Sequence, residues 1–529
     1  MSGTGILTGS ISDKEIRMKY ILCIDQGTTS TKAFLLDEEG NLSKGTHVPF
    51  KQYYPQPGWV SHDAEEIYVS VLKAIAMILK EHPEAKGNIA CMGITNQRET
   101  TVAFSHTGKP LDQAIVWQCR RTSDICRRPV IRDQGRRITE ITGLKIDPYF
   151  SATKMLWFME SIRSLRERCA TGEAHLSTID GFLVYRLTDG ASYASDYSNC
   201  SRTMLFDIAK KEYDQELLEL FGIPQRALAK PLESCADYGE VDIKADYLQS
   251  NGFDSDEIED LLSINGVHIT GVLGDQPAAL LGQNAINKGD SKTTYGTGSF
   301  TLMNLGTEPV FSKNGLLTSC AWSIKGVTNY ALEGSIFQAG SVISWLKDEL
   351  QFINNPAECD DICNSIEDAG GVYLVPAFTG LGAPYWKPDA RGILTGLTRG
   401  TGRAQIVRAG VESIAYQVTE LVNLMTDDTG IKAGQMKVDG GVCASSFLMQ
   451  LQSDLLGVKI TRALSDEMTA MGAGLAAGIE EGIFESIEAT SKFYQAGASY
   501  DPKMSAYEVS EKMEGYRSAV RATLLSGND

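Results

Sequence analysis

Two short turns rich in glycine and hydroxyl side chains could each bind a phosphate group. The first lies in Asp25-Gln-Gly-Thr-Thr-Ser30 and the second in Tyr295-Gly-Thr-Gly298, and strand-like residues flank both turns. Glycine lets backbone N–H groups approach an anion closely, and hydroxyl groups add hydrogen-bond donors. Two such turns across a cleft would hold a nucleoside triphosphate, and the chain contains no G-x-x-x-x-G-K-[ST] phosphate loop as an alternative.

Two aspartates stand where phosphate chemistry would need carboxylates. Asp25 ends a strand-like run at the first turn, where it could hold Mg²⁺ beside phosphates or cap the turn, and the residues favour neither interpretation. Asp275 follows a strand-like run and precedes a helical pattern, so on its own it is better interpreted as a helix N-cap. Beside a phosphate-binding turn it could instead accept a proton from an attacking hydroxyl group.

A set of polar and aromatic residues could bind a small polyol. Arg98 and Glu99 follow a predicted strand at residues 89–94, and a forked donor beside a carboxylate suits a ligand with several hydroxyl groups. A surface ion pair is the simpler interpretation of these two residues alone. Three aromatic residues near predicted strand or loop ends could belong to the core or form an apolar wall behind a carbon chain: Trp117, Tyr149 and Phe300.

A pair of glycines could also approach a purine ring. Asp439-Gly440-Gly441 follows a predicted strand at residues 436–438, although a plain turn is the better interpretation of these residues alone. The six histidines lack the spacing of metal ligands, so no structural zinc is expected.

Composition excludes several classes of protein. With 529 residues the chain should form two or more domains, and a net charge of −18 without a basic patch argues against nucleic-acid binding. Arginines at residues 120–137 are interpreted as a solvated helix face. An odd number of cysteines, 11, predicts reduced thiols in a cytoplasmic protein, and no apolar segment is long enough to span a membrane.

The coarse pattern is α/β. Helical periodicity covers residues 64–79 and 406–425, and strand-like runs lie at residues 89–94, 372–375 and 436–438. An acidic stretch before residue 270 predicts a domain boundary there. The sequence therefore predicts a flexible extension at residues 1–19, an N-terminal domain at 20–269 and a C-terminal domain at 270–529.

Together these residues resemble the FGGY carbohydrate kinase family of the actin-like ATPase superfamily, and within it the members that act on glycerol. The resemblance runs from about residue 19 to about residue 500. The matching strings are Asp25-Gln-Gly-Thr-Thr-Ser30, Pro57-Gly-Trp-Val60, Gly93-Ile-Thr-Asn-Gln-Arg-Glu-Thr-Thr101, Ala114-Ile-Val-Trp-Gln-Cys-Arg-Arg121, Gly143-Leu144, Asp147-Pro-Tyr-Phe-Ser151, Ser201-Arg-Thr-Met-Leu-Phe206, Gly274-Asp-Gln276, Tyr295-Gly-Thr-Gly298, Asn314-Gly-Leu-Leu-Thr318, Tyr330-Ala-Leu-Glu-Gly334, Pro376-Ala-Phe-Thr-Gly-Leu-Gly-Ala-Pro-Tyr-Trp386 and Asp439-Gly-Gly441.

The resemblance implies two actin-like (ribonuclease H-like) ATPase domains with an interdomain cleft. It implies transfer of the γ-phosphoryl group of MgATP to a terminal hydroxyl of glycerol, with Asp275 as general base and Asp25 near Mg²⁺. The implied glycerol-binding residues are Arg98, Glu99, Trp117, Tyr149, Asp275, Gln276 and Phe300. The implied ATP-binding residues are Gln26, Thr28, Thr29, Ser30, Lys32, Thr297, Gly340, Ser344, Gly441 and Ser445.

Four positions depart from the pattern of bacterial family members. Lys32, Ser299, Ser344 and Ser445 stand where Arg, Cys, Gln and Asn are frequent, and the last two concern the adenine contacts. Members of the family are often dimers or tetramers, so a homo-oligomer without nucleic-acid or membrane partners is expected. A kinase for another polyol or a ketose, and a nucleotide-switched actin-like binding protein, are the alternatives.

Overall fold

Two β-sheets, each containing one of the two Gly/Thr turns, form the centres of the two halves of the chain. The computed structural model describes residues 18–382, 385, 387 and 389–526. Most of the predicted N-terminal extension at residues 1–19 lies outside the described residues. Among those described, no helix is long and apolar enough to cross a membrane, and all 11 cysteines are free thiols.

The strands of both halves follow in chain order. They are β1 (Tyr20–Gln26), β2 (Ser30–Asp37), β3 (Val48–Pro49), β4 (Ser61–His62), β5 (Ile89–Asn96), β6 (Thr101–Ser105), β7 (Ala114–Ile115), β8 (Ala174–Thr178), β9 (Ala194–Asp196), β10 (Phe206–Asp207), β11 (Glu212–Tyr213), β12 (Lys230–Leu232), β13 (His268–Gly274), β14 (Ser291–Tyr295), β15 (Ser299–Gly306), β16 (Leu317–Ile324), β17 (Val327–Ile336), β18 (Tyr373–Val375), β19 (Ile393–Thr395), β20 (Gln435–Asp439), β21 (Lys459–Ala463) and β22 (Ala496–Tyr500). The first sheet has the strand order β13-β5-β1-β2-β3, and the second sheet has the order β16-β17-β15-β14-β20-β21-β22.

The α-helices lie between these strands and on the faces of the sheets. They are α1 (Ala64–Glu81), α2 (Ser123–Arg127), α3 (Pro129–Arg132), α4 (Gly135–Thr142), α5 (Ser151–Ser161), α6 (Leu165–Thr171), α7 (Ile179–Leu187), α8 (Tyr197–Cys200), α9 (Gln215–Phe221), α10 (Ala245–Ser250), α11 (Ser255–Leu262), α12 (Asp275–Gly282), α13 (Gly340–Ser344), α14 (Glu358–Asn364), α15 (Arg403–Thr429), α16 (Ser446–Leu456), α17 (Met468–Glu480) and α18 (Ala506–Ser526).

Both predicted hairpins are confirmed. In the first, β1 pairs antiparallel with β2, and the N–H of Gly27 donates to the Ser30 carbonyl at 2.9 Å to close the turn at residues 27–29. In the second, β14 pairs antiparallel with β15, and the N–H of Gly296 donates to the Gly298 carbonyl at 2.9 Å. Each sheet thus presents one tight turn with several backbone N–H groups that the strands do not use.

The strongest local patterns also form the expected elements. The pattern at residues 64–79 becomes α1, which Asp63 caps by accepting the Glu65 N–H at 2.8 Å, and the pattern at 406–425 lies within α15. The arginine-rich segment forms three short helices, α2 to α4, rather than one face of a single helix. Its exposed arginines pair with neighbouring carboxylates, as Arg120 does with Asp147 and Arg128 with Glu160, so the segment is a solvated surface.

The predicted domain boundary at residue 270 falls inside β13. That strand pairs parallel with β5 at the edge of the first sheet, so the first half of the fold extends through β13. The strand-like run before Asp275 was correctly predicted to be a strand, but pairing over a long sequence separation decided which sheet it joined. Asp275, at the start of α12, therefore directly follows the last strand of the first sheet.

Helices α12 and α17 lie between the two sheets and pack closely on each other and on the first sheet. A Cβ added to Gly472 would lie 1.9 Å from the Ala278 carbonyl oxygen, and one added to Gly93 would lie 2.4 Å from the Ala473 carbonyl oxygen. The Thr270 hydroxyl donates to the Ala477 carbonyl at 3.0 Å. Glycine is needed at these positions because backbone meets backbone there.

Gly472→Ala should lower the stability of the protein by about 1–3 kcal/mol, because the new methyl group would force α17 away from α12. Thermal unfolding followed by circular dichroism measures the effect. Gly135→Ala is the matched control, since among the described residues its Cβ would meet only the Ile146 Cδ1, at 3.5 Å in ordinary contact. An equal melting temperature for both variants would contradict the close approach of the two helices.

Candidate functional site

Asp25 lies at the end of β1, beside the first Gly/Thr turn, and its carboxylate is partly buried. Within the described part of the chain the carboxylate makes no hydrogen bond and no ion pair. Burial raises the pKa of Asp25 to about 7; Lys32 opposes this shift, and the nearby carboxylates of Asp275 and Glu467 add to it. A buried carboxylate near other carboxylates is a position where a cation would be stabilised.

The first turn is tied to an aromatic side chain of the first half. The indole Nε1 of Trp117 donates to the Thr28 hydroxyl at 3.0 Å, and the Gln52 amide donates to the Thr28 carbonyl at 2.9 Å. Thr29 is exposed and Ser30 is half-buried, so these hydroxyl groups can be reached by a ligand. Thr28, a predicted phosphate-binding residue, therefore contacts Trp117, a predicted residue of the apolar wall.

Two predicted ATP-binding side chains of this half are engaged elsewhere. Gln26 is fully buried, and its amide donates to the Gly27 carbonyl at 2.7 Å and accepts from Gln97 at 3.2 Å. Lys32 forms an ion pair with Glu467, with 2.8 Å between Nζ and Oε1. Gln26 therefore supports the turn from inside, and Lys32 would have to leave Glu467 to meet a phosphate.

In the second half, Gly340 packs directly on the second turn. Its N–H donates to the Gly296 carbonyl at 2.9 Å, and an added Cβ would lie 2.6 Å from that oxygen. Thr297, at the tip of the turn, is exposed, as are Ser344 and Gly441, and no atom of the described residues lies within 4 Å of a Cβ added to Gly441. This surface is open enough for a ligand.

Ser445 has a structural role in the protein. It caps α16 by accepting the Leu448 N–H at 3.1 Å, and its hydroxyl donates to Asp360. An N-cap serine and a ligand-binding serine look alike in a sequence, because both precede a helix after a turn.

Asp275 is the first residue of α12, and Gly274 occupies the N-cap position, so the N-cap interpretation is wrong. Its Oδ1 accepts from the Arg98 Nε at 3.1 Å and from the Gln276 N–H at 2.8 Å. The Oδ2 has no hydrogen-bond partner among the residues that the structure describes. The side chain is 34% exposed, so one carboxylate oxygen is fixed and the other is available.

Arg98 and Glu99 are both buried and do not pair with each other, so a surface ion pair is also the wrong interpretation. The backbone of Glu99 has a φ of 60°, which is unusual for a residue with a side chain. Its carbonyl accepts three hydrogen bonds, from the Ser151 and Thr101 hydroxyls at 3.0 Å each and from the Lys154 ammonium at 3.3 Å. These bonds hold the strained turn that aims both charged side chains inward.

The three aromatic candidates divide into a pair and a separate residue. The Trp117 and Tyr149 rings meet edge to face with 5.8 Å between centroids. The Tyr149 hydroxyl makes no hydrogen bond within the described range. Phe300 is half-buried on β15 of the second sheet, opposite Ser335, and makes no ring contact with the other two in the part of the chain described.

Gln276, next to Asp275, accepts a hydrogen bond from the buried ammonium of Lys292.

Two charged residues that the sequence left without a role complete this arrangement. Arg202 is fully buried; its Nε donates to Glu99 at 2.5 Å and its Nη2 to Glu333 at 3.1 Å. The other oxygen of Glu333 accepts from Arg98 Nη1 at 2.8 Å. The one signal in the sequence was Glu333, a charged residue directly after the residues Tyr330, Ala331 and Leu332 of β17, where a charge is rare unless it is paired.

The site combines fixed charges with unused hydrogen-bonding atoms. Five such atoms have no partner among the described residues: Arg98 Nη2, Glu99 Oε2, Tyr149 Oη, Asp275 Oδ2 and the buried Arg202 Nη1. They offer donors and acceptors beside the Trp117 and Tyr149 rings. That combination suits a short carbon chain with several hydroxyl groups.

Family models divide the chain at the same place as the sheets do. The N-terminal domain of the FGGY family of carbohydrate kinases matches residues 20–282, and the C-terminal domain matches residues 292–481. The first match ends with α12, which agrees with the position of β13 in the first sheet.

Relatives of known function match the chain over nearly its whole length. Glycerol kinase of Symbiobacterium thermophilum is 45% identical over 502 residues, which cover 95% of this chain and 97% of that protein. Glycerol kinase 2 of Thermotoga maritima is 43% identical over 508 residues, covering 96% and 99%. The crystal structure of Plasmodium falciparum glycerol kinase with ADP has a TM-score of 0.90 at 35% identity, covering 96% of this chain and 98% of that one.

Proposed function

The chain belongs to the FGGY family of carbohydrate kinases, and from this premise we propose that it phosphorylates glycerol. The reaction transfers the γ-phosphoryl group of ATP to a terminal hydroxyl and gives sn-glycerol 3-phosphate. The observation that carries the proposal is that Asp275 Oδ2 and atoms of Arg98, Glu99 and Tyr149 have no hydrogen-bond partner among the described residues. Relatives named glycerol kinase at 42–45% identity over nearly full length support it.

Glycerol would be held by residues of the first half. Arg98 Nη2 would donate to one hydroxyl group, and Glu99 Oε2 would accept from another. The Trp117 and Tyr149 rings would cover the carbon chain, with Phe300 facing them from the second sheet and the Gln276 amide beside Asp275. Because Arg98, Glu99 and Gln276 are each held by a second contact, these side chains would lose little conformational freedom on binding.

Asp275 would take the proton of the attacking hydroxyl. Its Oδ1 is held by Arg98, so Oδ2 faces the acceptor in one orientation. Removing this proton as the oxygen attacks raises the nucleophilicity of the hydroxyl. The γ-phosphoryl group then moves in line from the leaving ADP oxygen to the acceptor oxygen.

The phosphates would lie against the two turns. Backbone N–H groups and hydroxyls at Thr28, Thr29, Ser30, Thr297 and Gly340 supply the donors, and the open surface near Gly441 and Ser344 would receive the adenosine. The side chains of Gln26 and Ser445 would not join these donors, since both already have internal partners. Lys32 would join after exchanging Glu467 for a phosphate oxygen.

Asp25 fits Mg²⁺ by the chemistry of its surroundings. Its carboxylate has no hydrogen-bond or ion-pair partner among the described residues, and Asp275 and Glu467 add negative charge nearby. The described residues contain no cluster of three acidic, histidine or cysteine ligands, and Mg²⁺ in kinases uses one or two carboxylates together with phosphates and water. When bound, the metal would neutralise charge on the phosphates.

The deciding experiment is ADP production from MgATP by the purified protein with glycerol, D-xylulose, L-ribulose, D-gluconate or no acceptor. Turnover that depends on glycerol is the expected result. Gluconate and xylulose kinases of Lactobacillus acidophilus share the fold at 21% and 22% identity, so the fold alone does not choose the acceptor. Turnover with another acceptor would replace glycerol, and slow hydrolysis indifferent to all acceptors would favour a nucleotide-switched binding protein.

Glycerol together with a non-hydrolysable ATP analogue should make the protein more compact, because the cleft must close to keep water from the γ-phosphate. Small-angle X-ray scattering measures the radius of gyration with both ligands, with each alone and with neither. An unchanged radius in all four samples would contradict closure. The same samples would test our proposal that the protein is a homodimer or homotetramer, through their molecular mass.

A further inference from the structure

Four buried charges of alternating sign link the two halves of the protein next to the proposed glycerol-binding site. They form the buried quartet Arg98, Glu99, Arg202 and Glu333. Ion pairs join Glu99 to Arg202, Arg202 to Glu333 and Glu333 to Arg98, at 2.5, 3.1 and 2.8 Å. Each of the four side chains is at most 2% exposed, so these charges are stabilised by one another rather than by water.

The members of the quartet come from distant parts of the fold. Arg98 and Glu99 follow β5 of the first sheet, and Arg202 follows α8. Glu333 lies on β17 of the second sheet, where it is paired in register with Leu302 and Leu317. One carboxylate of the second half thus holds both guanidinium groups of the first half.

The two arginines depend on Glu333 in different ways. Arg98 also pairs with Asp275, and Arg202 also pairs with Glu99. Without Glu333, the buried Arg98 would pair only with Asp275, and the nearby buried Arg202 would pair only with Glu99. Each of these two carboxylates has one oxygen that faces the proposed glycerol site. Arg98 and Arg202 would then be free to turn toward Asp275 and Glu99.

We propose that Glu333 is a positioning residue for the acceptor: by holding Arg98 and Arg202 it leaves Arg98 Nη2 and Glu99 Oε2 directed at glycerol. This inference rests on the proposed function. Because Glu333 belongs to the second sheet, the acceptor site of the first half is complete only when the second half is in place. Arg202 acts through Glu99 and is a positioning residue as well.

Glu333→Gln should raise the KM for glycerol by about 30-fold, the loss expected when one charge-assisted hydrogen bond to the acceptor is misaligned. The KM for MgATP should stay within about twofold, since no side-chain hydrogen bond or ion pair joins the quartet to the two turns in the described part of the chain. The matched control is Glu412→Gln. Glu412 is equally buried in the second half and pairs with Arg408 at 2.8 Å, on α15. Its variant should leave the KM for glycerol unchanged.

A second variant distinguishes a loss of folding stability from a loss of side-chain positioning. Glu333→Gln alone leaves an excess buried cation, whereas Arg202→Gln with Glu333→Gln removes one charge of each sign. The double variant should therefore melt closer to the unsubstituted protein than E333Q does, while its KM for glycerol remains raised. Glu333→Asp keeps the charge on a shorter side chain and should recover part of the affinity for glycerol.

The results distinguish a failure of the positioning role of Glu333 from a failure of the proposed glycerol phosphorylation. If E333Q and the double variant both keep the glycerol KM of the unsubstituted protein, or if the KM values for glycerol and MgATP rise together, the positioning role is wrong. If the unsubstituted protein shows no turnover that depends on glycerol, the proposed function fails and this inference fails with it. A selective rise in the KM for glycerol, absent from E412Q, supports the role of Glu333.

Discussion

Asp275→Asn should lower kcat by about 100-fold or more while glycerol binding remains measurable, because an amide cannot accept the proton of the attacking hydroxyl. The asparagine keeps the size of the side chain and can still accept from Arg98 through its amide oxygen. The loss should therefore appear in kcat rather than in the KM for glycerol. Coupled-assay kinetics of ADP release and calorimetric titration with glycerol measure the two quantities.

The control for this prediction is another aspartate that accepts hydrogen bonds. Asp428 near the end of α15 accepts from the side chains of Ser312 and Asn314, and Asp428→Asn should keep full turnover. Near-normal turnover of the Asp275→Asn variant would remove Asp275 from the role of base. A loss of glycerol binding instead of turnover would assign Asp275 to substrate binding alone.

Asp25→Asn should lower activity at saturating MgATP by about 100- to 1,000-fold, because a metal ion at transferring phosphates contributes several kcal/mol. The variant should also need a higher Mg²⁺ concentration for half-maximal activity. Measuring rate against Mg²⁺ at fixed ATP tests both effects. Unaltered Mg²⁺ dependence would place the metal elsewhere.

The raised pKa of Asp25 gives this prediction a dependence on pH. With a pKa of about 7, the carboxyl group of the metal-free protein is protonated below pH 7, and a metal must displace that proton. The Mg²⁺ concentration for half-maximal activity should therefore rise toward acid pH, by up to tenfold per unit below about pH 7, and level off above it. The Asp25→Asn variant should lack this dependence.

The same group should affect the stability of the metal-free protein. Because the pKa in the folded state is raised above that of the unfolded chain, protonated Asp25 favours folding at low pH, and the advantage is lost as pH rises through about 7. The difference in melting temperature between the unsubstituted protein and Asp25→Asn should accordingly grow in favour of the variant from pH 5 to pH 8. A constant difference would contradict the raised pKa.

The elements that the sequence predicted correctly are those that short segments determine. The turns at residues 27–29 and 296–298 needed only glycine and threonine between strand-forming residues, and α1 needed only one apolar face and the cap at Asp63. The family resemblance also gave the right fold and family, because it used many separate strings at once. The catalytic and binding roles of individual residues stay predictions until the variants are measured.

What the sequence could not predict depends on contacts between distant segments. Placing β13 in the first sheet requires its pairing with β5, and the role of Glu333 requires knowing that Arg98 and Arg202 lie opposite β17. No local pattern distinguishes a serine that caps α16 from one that meets a nucleotide. The burial of Gln26 and the pairing of Lys32 with Glu467 likewise depend on the folded structure, and the sequence does not predict them.

The position of α17 affects how this protein folds during its synthesis on the ribosome. One buried apolar cluster contains Ile21, Cys23 and Leu273 of the first sheet together with Met471 and Leu475 of α17. The residues of α17 are synthesised only after most of the second half. While translation continues, that face of the first sheet lacks its cover, and the nascent chain is a candidate for chaperone binding until α17 emerges. The two halves should accordingly be insoluble when expressed apart and recoverable when expressed together, despite the separate sheets that suggest independent units.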